Sequence, residues 1–253
     1  MAGWYIPEPR WESGALFEGN KPNTPVAIDR SHHLGQAADL MWLGGDRSVD
    51  GKYALGLNGS ASFGNEGELI LGTGAAHYGR ITPSIGFPDR ESYTITMCFS
   101  QSAQTSAGKI FSFGASGIAP LTAVDIRSPN NQLRMLIEGD VSGGSTNGQL
   151  NGTVIVLNQI YVLSLVIDRY ANLARRYLNG IPYGIDDDIS GTIGNTGATA
   201  SFDNTLLGQL ASVLNTGTQF TGSLYYFMVH REGLNASQIG LLHNSPYQML
   251  IPR

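Results

Sequence analysis

Apolar residues recur at every second position through much of the chain, which is the period of a β-strand with two distinct faces. Tyr93, Ile95, Met97 and Phe99 alternate with Thr94, Thr96, Cys98 and Ser100, predicting a strand with one buried face. Leu133, Met135 and Ile137 alternate with Arg134 and Glu138, predicting a second half-buried strand. The run from Tyr161 to Ile167 is apolar on both sides apart from Ser164, as expected of a central strand covered on both faces. Leu224, Tyr226 and Met228 oppose Tyr225, Phe227 and Val229, predicting another two-sided strand. Asn179-Gly180 stands between two such runs and signals a hairpin, because a type I′ turn needs positive φ at both central residues. One convincing helix is expected. Asn235 can cap it, Gln238 completes a capping box, Ile239 and Leu242 share a face, and Asn244 and Pro246 end it. Many short strands, one short C-terminal helix and no fixed-period repeat predict an all-β fold, an antiparallel β-sandwich or jelly roll.

Residues 1–25 differ from the rest. Trp4, Tyr5, Trp11 and Phe17 are spaced among Pro7, Pro9, Pro22 and Pro25. Proline fixes φ and removes a backbone donor, so this segment reads as an extended N-terminal arm that docks through its aromatics, on its own domain or on a neighbour. The expected organisation is an arm over 1–25 and a sandwich domain over 26–253.

Composition narrows the function classes. Glycine supplies 33 of the 253 residues, about twice the usual share, while only 14% are charged against roughly a quarter in ordinary domains. The net charge of -5 lacks the basic footprint that phosphate binding needs, so no nucleic-acid partner is expected. No apolar run has the length of a membrane span, so no membrane partner is expected either. One cysteine, Cys98, makes no disulfide and reads as a packed thiol. The N-terminus has no basic region followed by an apolar core, which predicts synthesis and folding in a cytoplasm.

Catalytic signals are sparse. No HExxH, GxSxG or phosphate-loop pattern occurs, and adjacent His32 and His33 would point to opposite faces of a strand. Glu66 and Glu68 are same-face carboxylates at i and i+2, the one pair open to a glycosidase reading, but Gly64 and Gly67 make them look like a turn entering a strand. Asp186, Asp188 and Ser190 match the start of a calcium loop, where oxygens at alternate positions converge on a hard cation. Gly197 stands where the twelfth-position Glu should be, so a solvated acidic loop is the competing reading. Calcium is thus the one candidate cofactor. Three formal glycosylation sequons start at Asn58, Asn151 and Asn235 and read as coincidence in an Asn- and Ser-rich chain.

Five segments in order resemble the concanavalin A-like, laminin-G-like jelly roll: GLNGSASF (56–63), SYTITMCFS (92–100), KIFSFG (109–114), 163–184 and 220–250. The family's strand ending in Asp, its YxNG turn, its F-x-G strand and the loop and short helix after it fall on Asp168, on Tyr177, Asn179 and Gly180, on Phe220 and Gly222, and on Leu234 and Ile239. The lead-in over 25–45 and the ending SPYQMLIP are similar to laminin-G-like proteins of tailed bacteriophages. Met97-Cys98-Phe99 departs from the pattern where a Trp often falls, and the acidic strand motif of the family's glucanases is absent. The resemblance implies a non-enzymatic virion structural protein, a capsid-decoration or head-fibre subunit. It would be made in the host cytoplasm, held to the major capsid protein or another virion protein by the arm, and assembled as a homo-oligomer on the phage particle surface. The alternative it implies is a tail-associated receptor-binding module for host surface glycan, with Tyr78, Tyr170 and Tyr183 as candidate rings for sugar stacking. A polysaccharide hydrolase acting through Glu66 and Glu68 is the third expectation.

Overall fold

A computed structural model describes residues 22, 25–72, 77–83, 85, 91–104, 107–115, 118–127, 132–138, 145–184, 186–190, 205–207 and 220–252. The arm aromatics Trp4, Tyr5, Trp11 and Phe17 lie outside the described residues. Two antiparallel sheets face each other. The seven-stranded sheet runs β11 (Ser145–Val154), β10 (Gln132–Glu138), β9 (Ile118–Arg127), β8 (Ala107–Ala115), β16 (Thr205–Leu207), β6 (Tyr78–Thr82) and β3 (Ala54–Asn58). The nine-stranded sheet runs β14 (Ile181–Pro182), β13 (Leu173–Leu178), β12 (Ile160–Asp168), β7 (Tyr93–Gln101), β17 (Gly222–His230), β5 (Leu69–Leu71) and β4 (Ser62–Phe63). In that sheet β15 (Asp187–Asp188) also pairs with β13, and β2 (Ala38–Trp42) with β17. The chain is an all-β sandwich with a C-terminal helix, as its pattern predicts.

The inter-sheet core joins Ile95, Met97 and Phe99 of β7 and Leu163, Leu165 and Ile167 of β12 to Phe111, Val124, Ile126 and Leu133 of the opposite sheet. A second core lies on the other face of the nine-stranded sheet. There Cys98, Val162, Val166, Tyr226 and Met228 are covered by Leu34, Leu234, Ile239, Leu242 and Met249. The cover consists of α1 (His33–Ala37), α2 (Ala236–Asn244) and the two-stranded sheet that β1 (Val26–Ile28) makes with β18 (Leu250–Pro252). Two buried faces explain the apolar runs in β12 and β17.

Three local expectations change. The Thr94–Ser100 face of β7 is not a solvent face: Thr94, Thr96 and Cys98 are all buried. Its hydroxyls find partners there. Thr94 donates to the Glu232 carbonyl (2.8 Å) and accepts the Leu234 N–H (2.9 Å), and Thr96 bonds Ser164 (2.9 Å). In β17 a bulge between Leu224 and Tyr226 reverses the alternation, so Leu224 joins Phe227 and Val229 in the inter-sheet core while Tyr226 and Met228 face the second. His32 and His33 belong to no strand. His32 caps α1, its Nδ1 accepting the Leu34 N–H at 3.3 Å, and the two rings stack at 4.5 Å.

The resemblance motifs have structural work. Asn179 (φ +53) and Gly180 (φ +77) both take the left-handed conformation of a type I′ turn, and Asn179 Oδ1 accepts the Val162 N–H at 2.9 Å. A Cβ on Gly222 would come within 2.0 Å of the Ser100 carbonyl, so β17 approaches β7 closely only because this position is glycine. The capping box at α2 is complete: Asn235 Oδ1 accepts from Gln238 N (3.1 Å) and Gln238 Oε1 from Asn235 N (2.8 Å). Among the described residues no helix is long and apolar enough to cross a membrane.

His230 closes β17 opposite Thr94, fully buried, with neither ring nitrogen hydrogen-bonded among the described residues. Burial pushes its pKa down to about 4 from an ordinary 6.5. Between those values the unfolded chain binds a proton that the folded chain refuses, so stability is complete above pH 6.5 and falls as pH drops towards 4. The loss should approach about 3 kcal/mol. His77 and His243 are lowered by burial too and act in the same direction. Denaturant titrations from pH 7 to 4.5 should show that His230→Leu reduces this slope; a variant with the wild-type slope refutes the assignment. Thr94→Val should cost about 1–3 kcal/mol, because it strips the buried Leu234 N–H of its acceptor, and a denaturation midpoint at wild-type level would contradict it.

Candidate functional site

The most exposed large hydrophobic side chain among the described residues is Tyr170, 93% accessible at the β12–β13 turn. Its position follows from Asp168. That carboxylate ends β12 and accepts the N–H groups of Tyr170 (3.2 Å) and Ala171 (3.0 Å) through Oδ1, a local side-chain turn. Asn172, with φ +54, completes the reversal. Asp168 Oδ2 accepts from the Arg175 guanidinium at 2.9 Å, and Arg175 also reaches Asp186 at 3.3 Å. Partial burial pushes Asp168 up, but the Ala171 N–H and Arg175 outweigh it and hold the carboxyl below its ordinary range. The result is a bare aromatic ring standing beside a fixed charged network at one edge of the sandwich.

The other two tyrosines differ from expectation. Tyr78 is buried in β6, 8% exposed, with the Arg80 guanidinium 5.9 Å from its ring centre, so it has no open ring face for a sugar. Tyr183 follows β14 and packs partly against the inter-sheet core, its N–H on the Arg176 carbonyl at 2.8 Å. Only Tyr170 presents a ring. The calcium pattern is also not assembled. Asp186 is taken by Arg175, and Asp188 Oδ1 accepts the Ser190 N–H at 2.8 Å. Asp187, between them, lies 3.0 Å from the Arg176 guanidinium. Among the described residues no group of three or more His, Cys, Asp or Glu surrounds a common point.

Glu66 and Glu68 form the turn of the β4–β5 hairpin. The Glu68 carboxylate accepts the Glu66 N–H at 3.0 Å, and Gly67 takes φ +83. This is the turn role anticipated for them. Cys98 is fully buried and burial pushes its thiol up, as a packed thiol requires.

A second polar site has no counterpart in the sequence patterns. Asp39, at the start of β2, is 8% exposed and gathers three donors: Lys52 Nζ at 2.5 Å, Arg231 at 2.8 Å and the Tyr53 hydroxyl at 3.0 Å. Burial pushes its carboxyl up, but these partners hold it below the ordinary value. Arg30 binds the carbonyls of Gly35 and Ala38, with Asp50 3.8 Å from its guanidinium. An open cleft of about 450 Å³ lies between Arg30, Asp39, Asp50, Lys52, Arg231 and Glu232. Asp39 and Arg231 are 192 positions apart, so no local spacing could announce this cluster.

No protein-family model and no curated protein matches the chain. Solved structures do. The binding domain of Paraclostridial Mosquitocidal Protein 1 superposes with a TM-score of 0.65 at 12% identity, over 84% of this chain and 53% of that one. The shared fold is a β-sandwich. The botulinum neurotoxin serotype G binding domain matches at 0.65 and 14% identity, over 83% and 51%. A botulinum neurotoxin type C structure, described as depending on two ganglioside molecules for cell entry, matches at 0.64 and 12%, over 84% and 52%. The sandwich spans about half the length of these chains, and identities this low speak to the fold alone.

Two outcomes follow from the geometry. Millimolar calcium and a chelator should give the same thermal midpoint; a calcium-dependent rise lost in Asp186→Asn with Asp188→Asn would restore the metal reading. Arg176→Met, which leaves the carboxylate of Asp187 without its guanidinium in a partly buried setting, should destabilise by about 3 kcal/mol, measured by denaturant unfolding. A neutral result excludes this pair as a structural link.

Proposed function

We propose that this protein is a non-enzymatic binding module that recognises surface glycan through the Tyr170 edge. The observation that carries this is the 93% exposed ring, held at a turn apex by Asp168 and flanked by Arg175 and Asp186. Leaving so much aromatic surface in water is unfavourable unless a partner covers it, and sugar rings offer apolar faces to stack while their hydroxyls engage charged neighbours. The fold neighbours support the reading, since each is named as a binding domain or described with ganglioside binding. The carboxylates once open to a hydrolase reading are turn residues, and this too favours binding over catalysis.

The virion setting rests on the resemblance to laminin-G-like proteins of tailed phages. In this proposal residues 1–25 attach the sandwich to the major capsid protein or another virion protein on the particle surface, as a homo-oligomer made in the host cytoplasm. Pro22 and Pro25 support it. With Val26, Leu43 and Val49 they line an open groove of about 440 Å³.

A glycan array should give specific hits that Tyr170→Ala weakens tenfold or more, the size expected for truncating a central aromatic anchor. An array without hits, with and without calcium, defeats the glycan reading. Deleting residues 1–25 should abolish incorporation into particles while leaving the isolated domain's thermal midpoint in place. Full occupancy of the truncated chain on particles overturns the arm's role.

A further inference from the structure

We propose that the Asp39 cleft is a second ligand site, one that takes a sugar bearing a carboxylate. Asp39 acts as a buried anchor: by holding Lys52 Nζ at 2.5 Å and Arg231 at 2.8 Å it fixes two cations at the cleft wall before any ligand arrives. Preorganisation of this kind removes the ordering cost that long cationic side chains otherwise add to binding. Lys52 is half exposed and its ammonium carries three hydrogens, so donors remain beyond the one on Asp39. Arg30, also half exposed, is locked by two backbone carbonyls and adds a third positive charge. Three carboxylates, Asp39, Asp50 and Glu232, balance these three cations, so the pull on an anion comes from the hydrogens that Lys52 and Arg30 still have to donate, and hydrogen bonds from charged donors are the strong ones.

The rim selects among anions. Asp50 and Glu232 line the same cleft and repel a bare dianion such as phosphate. Both are acceptors, and they suit a ligand whose single charge is surrounded by hydroxyl donors. A volume of about 450 Å³ lies in the range of small-ligand clefts. One carboxylate, several hydroxyls and a compact body together describe an acidic monosaccharide unit. Its carboxylate accepts from Lys52 and Arg30, and its hydroxyls donate to Asp50 and Glu232. This site is separate from the Tyr170 turn and extends the binding reading without depending on it.

The test is a titration of the ¹⁵N-labelled full chain with D-glucuronate, D-glucose and inorganic phosphate, followed by amide shifts. Glucuronate should give saturable shifts at Arg30, Lys52 and Arg231, with glucose at least tenfold weaker and phosphate without saturation. Lys52→Gln should weaken glucuronate tenfold or more while its amide spectrum remains that of the folded chain, and Lys52→Arg, which keeps the charge on Asp39, should recover most of the affinity. Equal binding of glucose and glucuronate, phosphate binding as tight as glucuronate, no saturable shift, or wild-type affinity in Lys52→Gln each overturns the proposal. Loss of sugar contact at Tyr170 reads on the Tyr170 amide, so failure there and failure at the cleft are told apart.

Discussion

Burial of the nine-stranded sheet on both faces is the constraint that organises this protein. Strands β7, β12 and β17 face the opposite sheet on one side and α1, α2 and the β1–β18 pair on the other. In a sheet covered twice, each unpaired buried donor or acceptor costs about 1–3 kcal/mol, a cost that His230 carries and most of its neighbours avoid. The threonine face of β7 meets that demand through Glu232, Leu234 and Ser164. Those bonds tie the helix cover to the sheet, so the C-terminal segment is part of the core and not an appendage. The same cover brings the described beginning and end of the chain together as paired strands, beside the groove where Pro22 and Pro25 sit.

Few residues of the chain are charged, and the carboxylates of Asp39, Asp125 and Asp168 are held by charged partners. Asp125 is 1% exposed and sits in register between Lys109 on β8 and Arg134 on β10, binding both. Its neighbours Val124 and Ile126 point into the inter-sheet core. Asp39, Asp125 and Asp168 share one electrostatic design: burial raises each carboxyl, and cations or backbone donors outweigh it. These carboxylates therefore keep their charge to lower pH than free ones, and they serve as anchors for Arg and Lys. That is a scaffold suited to positioning donors for a ligand.

The two candidate binding places differ in origin. The Tyr170 edge is built by a local device, since Asp168 both ends a strand and closes the turn that lifts the ring two positions along. The Asp39 cleft is built by distant segments: residues near 30, 39, 50 and 231 meet because β2 pairs with β17 and α1 packs beside them. Local devices leave marks in a sequence, and long-range ones do not. Thus Asn179 and Gly180 were legible as turn residues, Asp168 and Tyr177 through the family resemblance and Tyr170 as a candidate ring, while Lys52 and Arg231 carried no signal.

By itself the sequence determined the class of fold, the two-sided strands, the type I′ turn at Asn179-Gly180 and the capping box of α2. Each of these is set by interactions within a few residues or by the period-two pattern. Tertiary structure decided everything that depends on what lies across a strand or over a face. It buried the threonine side of β7, reversed the parity of β17 by one bulged residue and hid Tyr78. It also set Asp186 against Arg175 on a neighbouring strand. A side chain's type and spacing set what it can bind, but its exposure and charged neighbours come from segments that the chain folds back to it, and those neighbours decide what it does bind.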